Sequence, residues 1–279
     1  MEVLTTGLHY HSKRIILLRI YACPCLNRLM KHGRVFNFLL MSLLLMSCSG
    51  HNVQHGNIKP GEYENRYTSI EHYIADFSKG FPYGFYLRND RGNGFPFNCA
   101  FSKDNAKFED GVMNLYLTKE DNQRGYSSAE LCSVEHFGYG YYSTYMKPIK
   151  CPGVISSFFT YTGHPWHEID IEFLGYDTTI VQFNHYTDGK GQHEYFYDLG
   201  FDASLEYHEY GFDWKEDSIV YYVDGVAVYK TSTDIPYVPS KIMVNLWNVH
   251  EDKKEWAGKF DDTNLPLHSS YKWIGYQTN

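Results

Sequence analysis

The pattern of hydrophobic and polar residues from Tyr67 to the end of the chain is that of β-strands. Aromatic and β-branched residues recur in short segments, and no stretch carries a convincing helical period. The clearest element is a β-hairpin, in which Ile219–Val223 and Val226–Lys230 are joined by the two-residue turn Asp224-Gly225. No internal repeat is visible, so we expect an all-β fold made of one sandwich of two antiparallel sheets.

The beginning of the chain follows a different pattern. Val35–Ser47 is an apolar run that is too short to cross a bilayer but suits the hydrophobic region of a signal peptide. Lys31 and Arg34 provide a basic flank, and the run ends at Cys48 in a sequence similar to a bacterial lipobox, where the cysteine is lipidated. The alternative is a buried apolar segment of the fold.

This pattern predicts three parts of the chain. Residues 1–47 are expected to be a signal peptide region whose start lies at Met30 or at Met1, and residues 48–66 a lipidated tether. Residues 67–279 are expected to form the folded domain. The predicted location is the cell envelope of a bacterium, at the outer membrane or cell surface, with the lipid as the only contact with a membrane.

Charge and composition narrow the range of partners. The formal net charge is −8, and residues 1–47 hold six basic residues and one acidic residue, so the rest of the chain is more acidic still. The acidic net charge of the chain therefore argues against nucleic acid as a partner. Aromatic residues make up 18% of the chain, which favours strands or a surface that stacks on flat ligand faces.

The cysteines after Cys48 are Cys99, Cys132 and Cys151. An odd number permits at most one internal disulfide, and the pairing stays open. An exported protein can form such a bond, and no Cys-x-x-Cys spacing indicates zinc.

The most informative segment runs from Glu168 to Leu174. On a strand, residues two apart point to the same side, so Glu168, Asp170 and Glu172 share one face. Three carboxylates in file repel one another unless a ligand binds there or a proton is shared. The pattern therefore leaves two interpretations open, a catalytic carboxylate site or an ordinary strand with a solvated acidic face.

Neighbouring residues favour the first interpretation. Trp166 precedes the acids by two residues, Asn184 and Tyr186 share a face of another strand, and so do Asn245 and Trp247. Acids, aromatic rings and amides together are typical of a carbohydrate-binding cleft.

A metal site is the weaker interpretation of the histidines in this region. His164 and His167 lie three residues apart beside the acids, but they stand in a Pro-containing loop. The segment therefore predicts neither a metal nor a cofactor.

The segment Glu168–Gly175 resembles the signature of glycoside hydrolase family sixteen, and its flanks resemble bacterial licheninases, which are endo-β-1,3-1,4-glucanases. The similar stretches cover nearly all of the chain from about Tyr67 onward; they are Ser156–Gly163, Asp177–Asn184, His193–Ala203, Phe212–Trp214, Tyr222–Gly225 and Lys241–Asn248. The resemblance implies a concanavalin-like jelly-roll β-sandwich with a substrate cleft on its concave face.

The same resemblance implies roles for single residues. Glu168 would be the nucleophile, Asp170 an assisting carboxylate and Glu172 the general acid/base of a retaining endo-glycosidase. The implied substrate is mixed-linkage β-1,3-1,4-glucan, and we expect the protein to be a monomer. The implied cleft residues are Asn93, Glu130, Phe159, Tyr161, Trp166, Asn184, Tyr186, Asn245 and Trp247.

Three features qualify the resemblance. Licheninases usually carry Arg where Cys132 stands, and an Asp that helps to hold calcium where Lys272 stands. Family members that cut β-1,3-glucans tend to carry one extra residue between the second and third acids, which is absent here. A xyloglucan hydrolase or transglycosylase, and a surface lipoprotein that binds glycan without cleaving it, remain as alternatives.

Overall fold

The computed structural model describes residues 73–90 and 92–278. These residues form 17 strands, namely β1 (Tyr73–Asp76), β2 (Phe85–Leu87), β3 (Ala100–Phe101), β4 (Ala106–Glu109), β5 (Val112–Lys119), β6 (Tyr126–Ser128), β7 (Glu130–Ser133), β8 (Gly140–Lys147), β9 (Val154–Tyr161), β10 (Glu168–Leu174), β11 (Ile180–Tyr186), β12 (Tyr195–Asp198), β13 (His208–Trp214), β14 (Ile219–Val223), β15 (Val226–Thr231), β16 (Lys241–Asn248) and β17 (Leu267–Gln277). The predictions for residues 1–72, including the signal region, Cys48 and the tether, lie outside the described residues.

The strands form two sheets. The seven-stranded sheet has the order β12-β11-β10-β9-β16-β7-β2, which places the predicted acidic strand β10 in its interior. The ten-stranded sheet follows the order β15-β14-β13-β8-β17-β5-β6-β3, with β1 beside β17 and β4 beside β5. Every pair is antiparallel except β3 and β6, so the predicted all-β sandwich is confirmed.

The predicted hairpin is present as β14 and β15. Its turn residues Asp224 and Gly225 both have positive φ, at 47° and 74°, which is the backbone conformation of a two-residue type I′ turn. Asp224 also accepts a backbone hydrogen bond from Glu209 at 2.9 Å, which ties the turn to β13.

The core lies between the two sheets. Strand β10 contributes Ile169, Ile171 and Phe173, each fully buried, from the face opposite its acids. Two buried tyrosines of the ten-stranded sheet reach across: the Tyr221 hydroxyl donates to the Asn184 carbonyl oxygen at 2.9 Å, and the Tyr271 hydroxyl to that of Ser157 at 3.0 Å. Packing thus fixes the core face of β10, and hydrogen bonds from the other sheet fix its neighbours β11 and β9.

Helical structure is slight in the described part of the chain. One α-helix, α1 (Lys254–Ala257), follows β16, and three short 3₁₀ turns cover Phe77–Lys79, Lys103–Asn105 and Glu251–Lys253. Within residues 73–90 and 92–278, no helix has the length and apolar character needed to span a membrane. The cysteines of this part are buried free thiols; they are Cys99, Cys132 and Cys151.

Candidate active site

The outer face of the seven-stranded sheet carries the three acids in the predicted arrangement. Antiparallel pairing of β10 with β9 and β11 is regular, with no bulge along the acids. Three rows of side chains therefore cross the sheet, Tyr186–Glu168–Tyr161–Lys241, Asn184–Asp170–Phe159–Met243–Cys132–Tyr86 and Gln182–Glu172–Ser157–Asn245–Glu130–Arg88. We call the last of these the polar row.

Glu168 interacts with Trp166 and Asp170, the residues two positions before and after it in the chain. The Trp166 indole N–H donates to Glu168 Oε2. A hydrogen bond with Asp170 lowers the pKa of Glu168 and raises that of Asp170, as expected when Asp170 carries the proton and donates it. Burial is nevertheless the largest influence and raises the pKa of Glu168 to about 8, while the bonds to Trp166 and Asp170 oppose that rise.

Glu172 has one such donor. Gln182 Nε2 donates to Glu172 Oε2 at 2.8 Å, and Gln182 Oε1 accepts from the Trp256 indole N–H at 3.0 Å. Burial raises the pKa of Glu172, the Gln182 bond opposes that rise, and the nearby Glu194 carboxylate adds to it. Because Gln182 occupies Oε2, the other oxygen is the one free to carry a proton.

The three carboxyl groups titrate as one unit. Burial is the largest cause of the raised pKa of each, and the charges of Glu168 and Glu172 raise the pKa of Asp170 well above its ordinary value. At neutral pH the three carboxyl groups together therefore hold protons. Their macroscopic pKa values belong to the set and not to any one residue. One of the proton distributions open to the set has Glu168 ionised while Asp170 and Glu172 are protonated.

That distribution suits the cleavage of a glycosidic bond. One ionised carboxylate can attack carbon while a protonated carboxyl group on the same face gives its proton to a leaving oxygen. Glu168 and Glu172 lie four residues apart on one strand, about 13 Å between Cα atoms, and their side chains can lean together across Asp170.

Aromatic rings border the acids on one side of the cleft. Trp166 stacks on Tyr186 with ring centroids 4.4 Å apart, and the Trp166 side chain stays exposed. Tyr161 is partly exposed and Phe159 is buried beside it. Such a platform can stack on a sugar ring.

The structure places Trp247 differently from the other predicted cleft rings. Its side chain is 3% exposed, because Phe97 stacks on it at 3.9 Å between centroids. Trp256 lies at 6.1 Å from the same ring. Trp247 thus lies beneath other aromatic residues at the end of β16.

The opposite end of the polar row is built around Glu130, whose side chain is fully buried. Arg88 Nη1 lies 2.6 Å from Glu130 Oε1, and Asn245 Nδ2 donates to Oε2 at 2.8 Å. The same Arg88 nitrogen donates to Asn93 Oδ1 at 2.7 Å. Hydrogen bonds therefore join Arg88, Glu130, Asn245 and Asn93, and Arg88 links Glu130 to Asn93.

Three residues of the site were not among the predicted ones. Gln182 stands in a segment that sequence analysis associated with the cleft, since it shares a face with Asn184 two residues later. Trp256 lies on α1, and Arg88 follows the short edge strand β2. Neither Trp256 nor Arg88 carries a sequence signal, because only the tertiary fold brings each of them to the site.

The histidine alternative finds little support in the geometry. His167 is buried, its Nε2 lies 3.2 Å from Asp188 Oδ1, and its ring packs edge-on against Tyr237. His164 is exposed in the loop before β10. In residues 73–90 and 92–278, no group of three or more His, Cys, Asp or Glu residues could hold a metal ion.

An all-β sandwich whose sheet face carries paired glutamates among stacked rings and amides defines a glycoside hydrolase. The chain belongs to glycosyl hydrolases family 16, whose sequence model matches residues 93–266. It is 46% identical over 213 residues to a β-glucanase of Acetivibrio thermocellus, covering 74% of this chain and 63% of that protein. It is 47% identical over 203 residues to a β-glucanase of Bacillus subtilis, covering 71% of this chain and 83% of that protein. A xylanase/β-glucanase of Ruminococcus flavefaciens is matched over only 27% of its length.

Solved structures agree with the sequence relatives. The Bacillus licheniformis β-glucanase has a TM-score of 0.70 and 43% identity, and covers 74% of this chain and 98% of its own. A β-1,3-1,4-glucanase from a mouse hindgut metagenome has the same TM-score and 44% identity, with 73% and 97% covered. These likenesses confirm the jelly-roll fold that the resemblance implied.

Proposed function

We propose that the protein is a retaining endo-glycosidase that hydrolyses mixed-linkage β-1,3-1,4-glucan. The observation that carries the proposal is the unbulged strand β10, which sets Glu168, bound by the Trp166 indole N–H, and Glu172, bound by the Gln182 amide, on the same sheet face. The names of the relatives support the substrate class, because they are β-glucanases and one solved structure is a β-1,3-1,4-glucanase.

The proposed reaction has two steps. Glu168 attacks the anomeric carbon and forms a covalent glycosyl-enzyme, while Glu172 donates its proton to the departing glycosidic oxygen. In the second step Glu172 takes a proton from water, which attacks the anomeric carbon and releases Glu168 as a carboxylate. Asp170 keeps its proton through both steps and holds Glu168 in place.

The roles of Glu168 and Glu172 are tested by chemical rescue. Glu172→Ala is expected to lose hydrolysis of mixed-linkage glucan yet to retain the glycosylation step with an activated aryl glycoside, whose leaving group needs no proton. Glu168→Ala is expected to lose both. Added azide should give a β-glycosyl azide with Glu172→Ala and an α-glycosyl azide with Glu168→Ala, read by NMR, and reversed anomers would overturn the assignment.

The substrate is tested by comparing polysaccharides. Mixed-linkage glucan, laminarin and xyloglucan are offered separately to the wild-type protein, and the linkages of the products are determined. We expect reducing ends from mixed-linkage glucan above all. Products from xyloglucan alone would favour the xyloglucan alternative, and no reducing ends from any of them would favour a protein that only binds glycan.

We further propose that the protein acts as a monomer anchored to the cell envelope by a lipid on Cys48. The apolar run Val35–Ser47 with its basic flank supports an exported lipoprotein with a signal region of residues 1–47. Cys48→Ala should leave the chain without an acyl group in mass spectrometry and release it from membranes. A variant that stays as firmly bound as the wild type would contradict this.

A further inference from the structure

The side chain of Arg88 is held at the edge of the cleft by an unusual number of fixed contacts. Its Nε and Nη2 bind the two carboxylate oxygens of Asp90 at 2.8 and 3.0 Å. Its Nη1 donates to Glu130 and Asn93, and its guanidinium carbon lies 5.1 Å from the centre of the Phe101 ring. The guanidinium plane is therefore fixed on three sides.

These contacts leave part of the guanidinium for a ligand. An arginine has five N–H donors, and the bonds to Asp90, Glu130 and Asn93 use four of them. The fifth, on Nη2, has no hydrogen-bond partner among the described residues, and the Arg88 side chain is 22% exposed. A fixed, partly exposed N–H beside a buried carboxylate is suited to a sugar hydroxyl.

We propose that Arg88 is a substrate-binding residue at the β2 end of the cleft, where it contacts a sugar far from the bond that is cut and holds Glu130 and Asn93 for the same sugar. The proposal rests on the proposed function and adds a specificity residue to it. Burial raises the pKa of Glu130, and the Arg88 guanidinium and the Asn245 amide oppose that rise.

The position of Arg88 in the sheet determines which sugar unit of a bound chain it contacts. Arg88 pairs with Glu130 across β2 and β7, on the polar row that begins at Gln182 and Glu172. Four strand spacings separate β10 from β2, which is about 19 Å at the usual strand separation. Several sugar units of a bound chain would span that distance, so a short substrate cannot reach Arg88.

The proposal is tested with Arg88→Met and a series of mixed-linkage oligosaccharides of increasing length. For the longest oligosaccharides and for the polysaccharide we expect KM to rise by about 10-fold or more at an unchanged kcat, the effect of losing hydrogen bonds to a charged group. For an aryl glycoside of a disaccharide we expect no change. Lys119→Met is the matched control: it removes a surface cation of the ten-stranded sheet that lies 2.9 Å from Asp262, and it should behave as wild type with substrates of every length.

A second pair of variants guards against misfolding. Arg88→Met leaves the buried Glu130 without its cation, whereas Arg88→Met combined with Glu130→Gln removes both charges and should fold. We expect the double variant to lose affinity for long substrates only, and Arg88→Lys to restore part of it. Equal losses for short and long substrates, or none in a folded variant, would overturn the proposal for Arg88. Absence of any β-glucan hydrolysis by the wild type would instead overturn the proposed function.

Discussion

Replacing Gln182 with Met should shift the pH range in which the enzyme works. Gln182 donates to Glu172 at 2.8 Å and is 2% exposed, so water cannot replace the lost donor. The bond stabilises the ionised form of Glu172, and its removal should raise the pKa further. The first reaction step needs Glu172 protonated, so the basic limb of the kcat/KM profile should move to higher pH.

The size of the shift follows from the strength of the bond. A hydrogen bond to a charged group contributes about 1.5–3 kcal/mol, and one pKa unit corresponds to about 1.4 kcal/mol, so the basic limb should move by about one to two units. The acidic limb, which reports ionisation of Glu168, should move much less. Apparent values from both limbs belong to the coupled carboxyl groups as a set.

The assay is kcat/KM for mixed-linkage glucan between pH 4 and 10, with melting temperature measured at each pH. Trp256→Phe serves as the matched variant, since it removes the donor that orients the Gln182 amide but leaves the amide itself. It should move the basic limb in the same direction by a smaller amount. A basic limb that stays in place or moves to lower pH in a folded Gln182→Met variant would refute the reasoning.

Three further outcomes are expected. Asp170→Asn should raise the melting temperature over wild type by an amount that grows from pH 4 to pH 8. Because burial raises the pKa of Asp170 in the folded state, wild type has its full stability below the ordinary pKa and loses about 1.4 kcal/mol per pH unit as the pH rises towards the folded-state pKa. A difference in melting temperature that stays constant with pH would contradict this. Trp166→Phe keeps a ring on Tyr186 but removes the donor to Glu168, so kcat/KM should fall about 10- to 100-fold with the acidic limb moved upward, and an unmoved limb would count against the role of that donor. EDTA should hardly change the melting temperature, because Lys272 stands where the resemblance to licheninases implies a calcium-binding Asp, and its ammonium lies 4.4 Å from the Tyr207 ring centre; a large fall reversed by calcium would show the opposite.

The strand pattern and the acidic face could be predicted because both depend on local periodicity. The alternation from Glu168 to Phe173 defines a core side and an outer side whatever the neighbouring strands are. The turn at Asp224-Gly225 is equally local, because its positive φ values depend on two adjacent residues.

Contacts between distant strands could not be predicted from a single sequence. Arg88 pairs with Glu130, 42 residues away, only because β2 lies beside β7. Cys132, which stands on β7 where licheninases usually carry Arg, has its Sγ 3.8 Å from Glu130 Oε1. Trp247 shows the same limit, because nothing in its own strand indicates that Phe97 covers it.

The tyrosines that cross the sandwich extend the region on which activity depends. Tyr221 and Tyr271 belong to the sheet opposite the cleft, yet their hydroxyls donate to the backbone carbonyl oxygens of Asn184 and Ser157, whose side chains face the cleft. Each tyrosine side chain crosses the core between the two sheets, which are about 10 Å apart, and its hydroxyl fixes the position of a cleft residue from the core side. We therefore expect activity to be sensitive to substitutions at Tyr221 and Tyr271 on the opposite sheet as well as in the cleft, with tolerant positions between these two tyrosines.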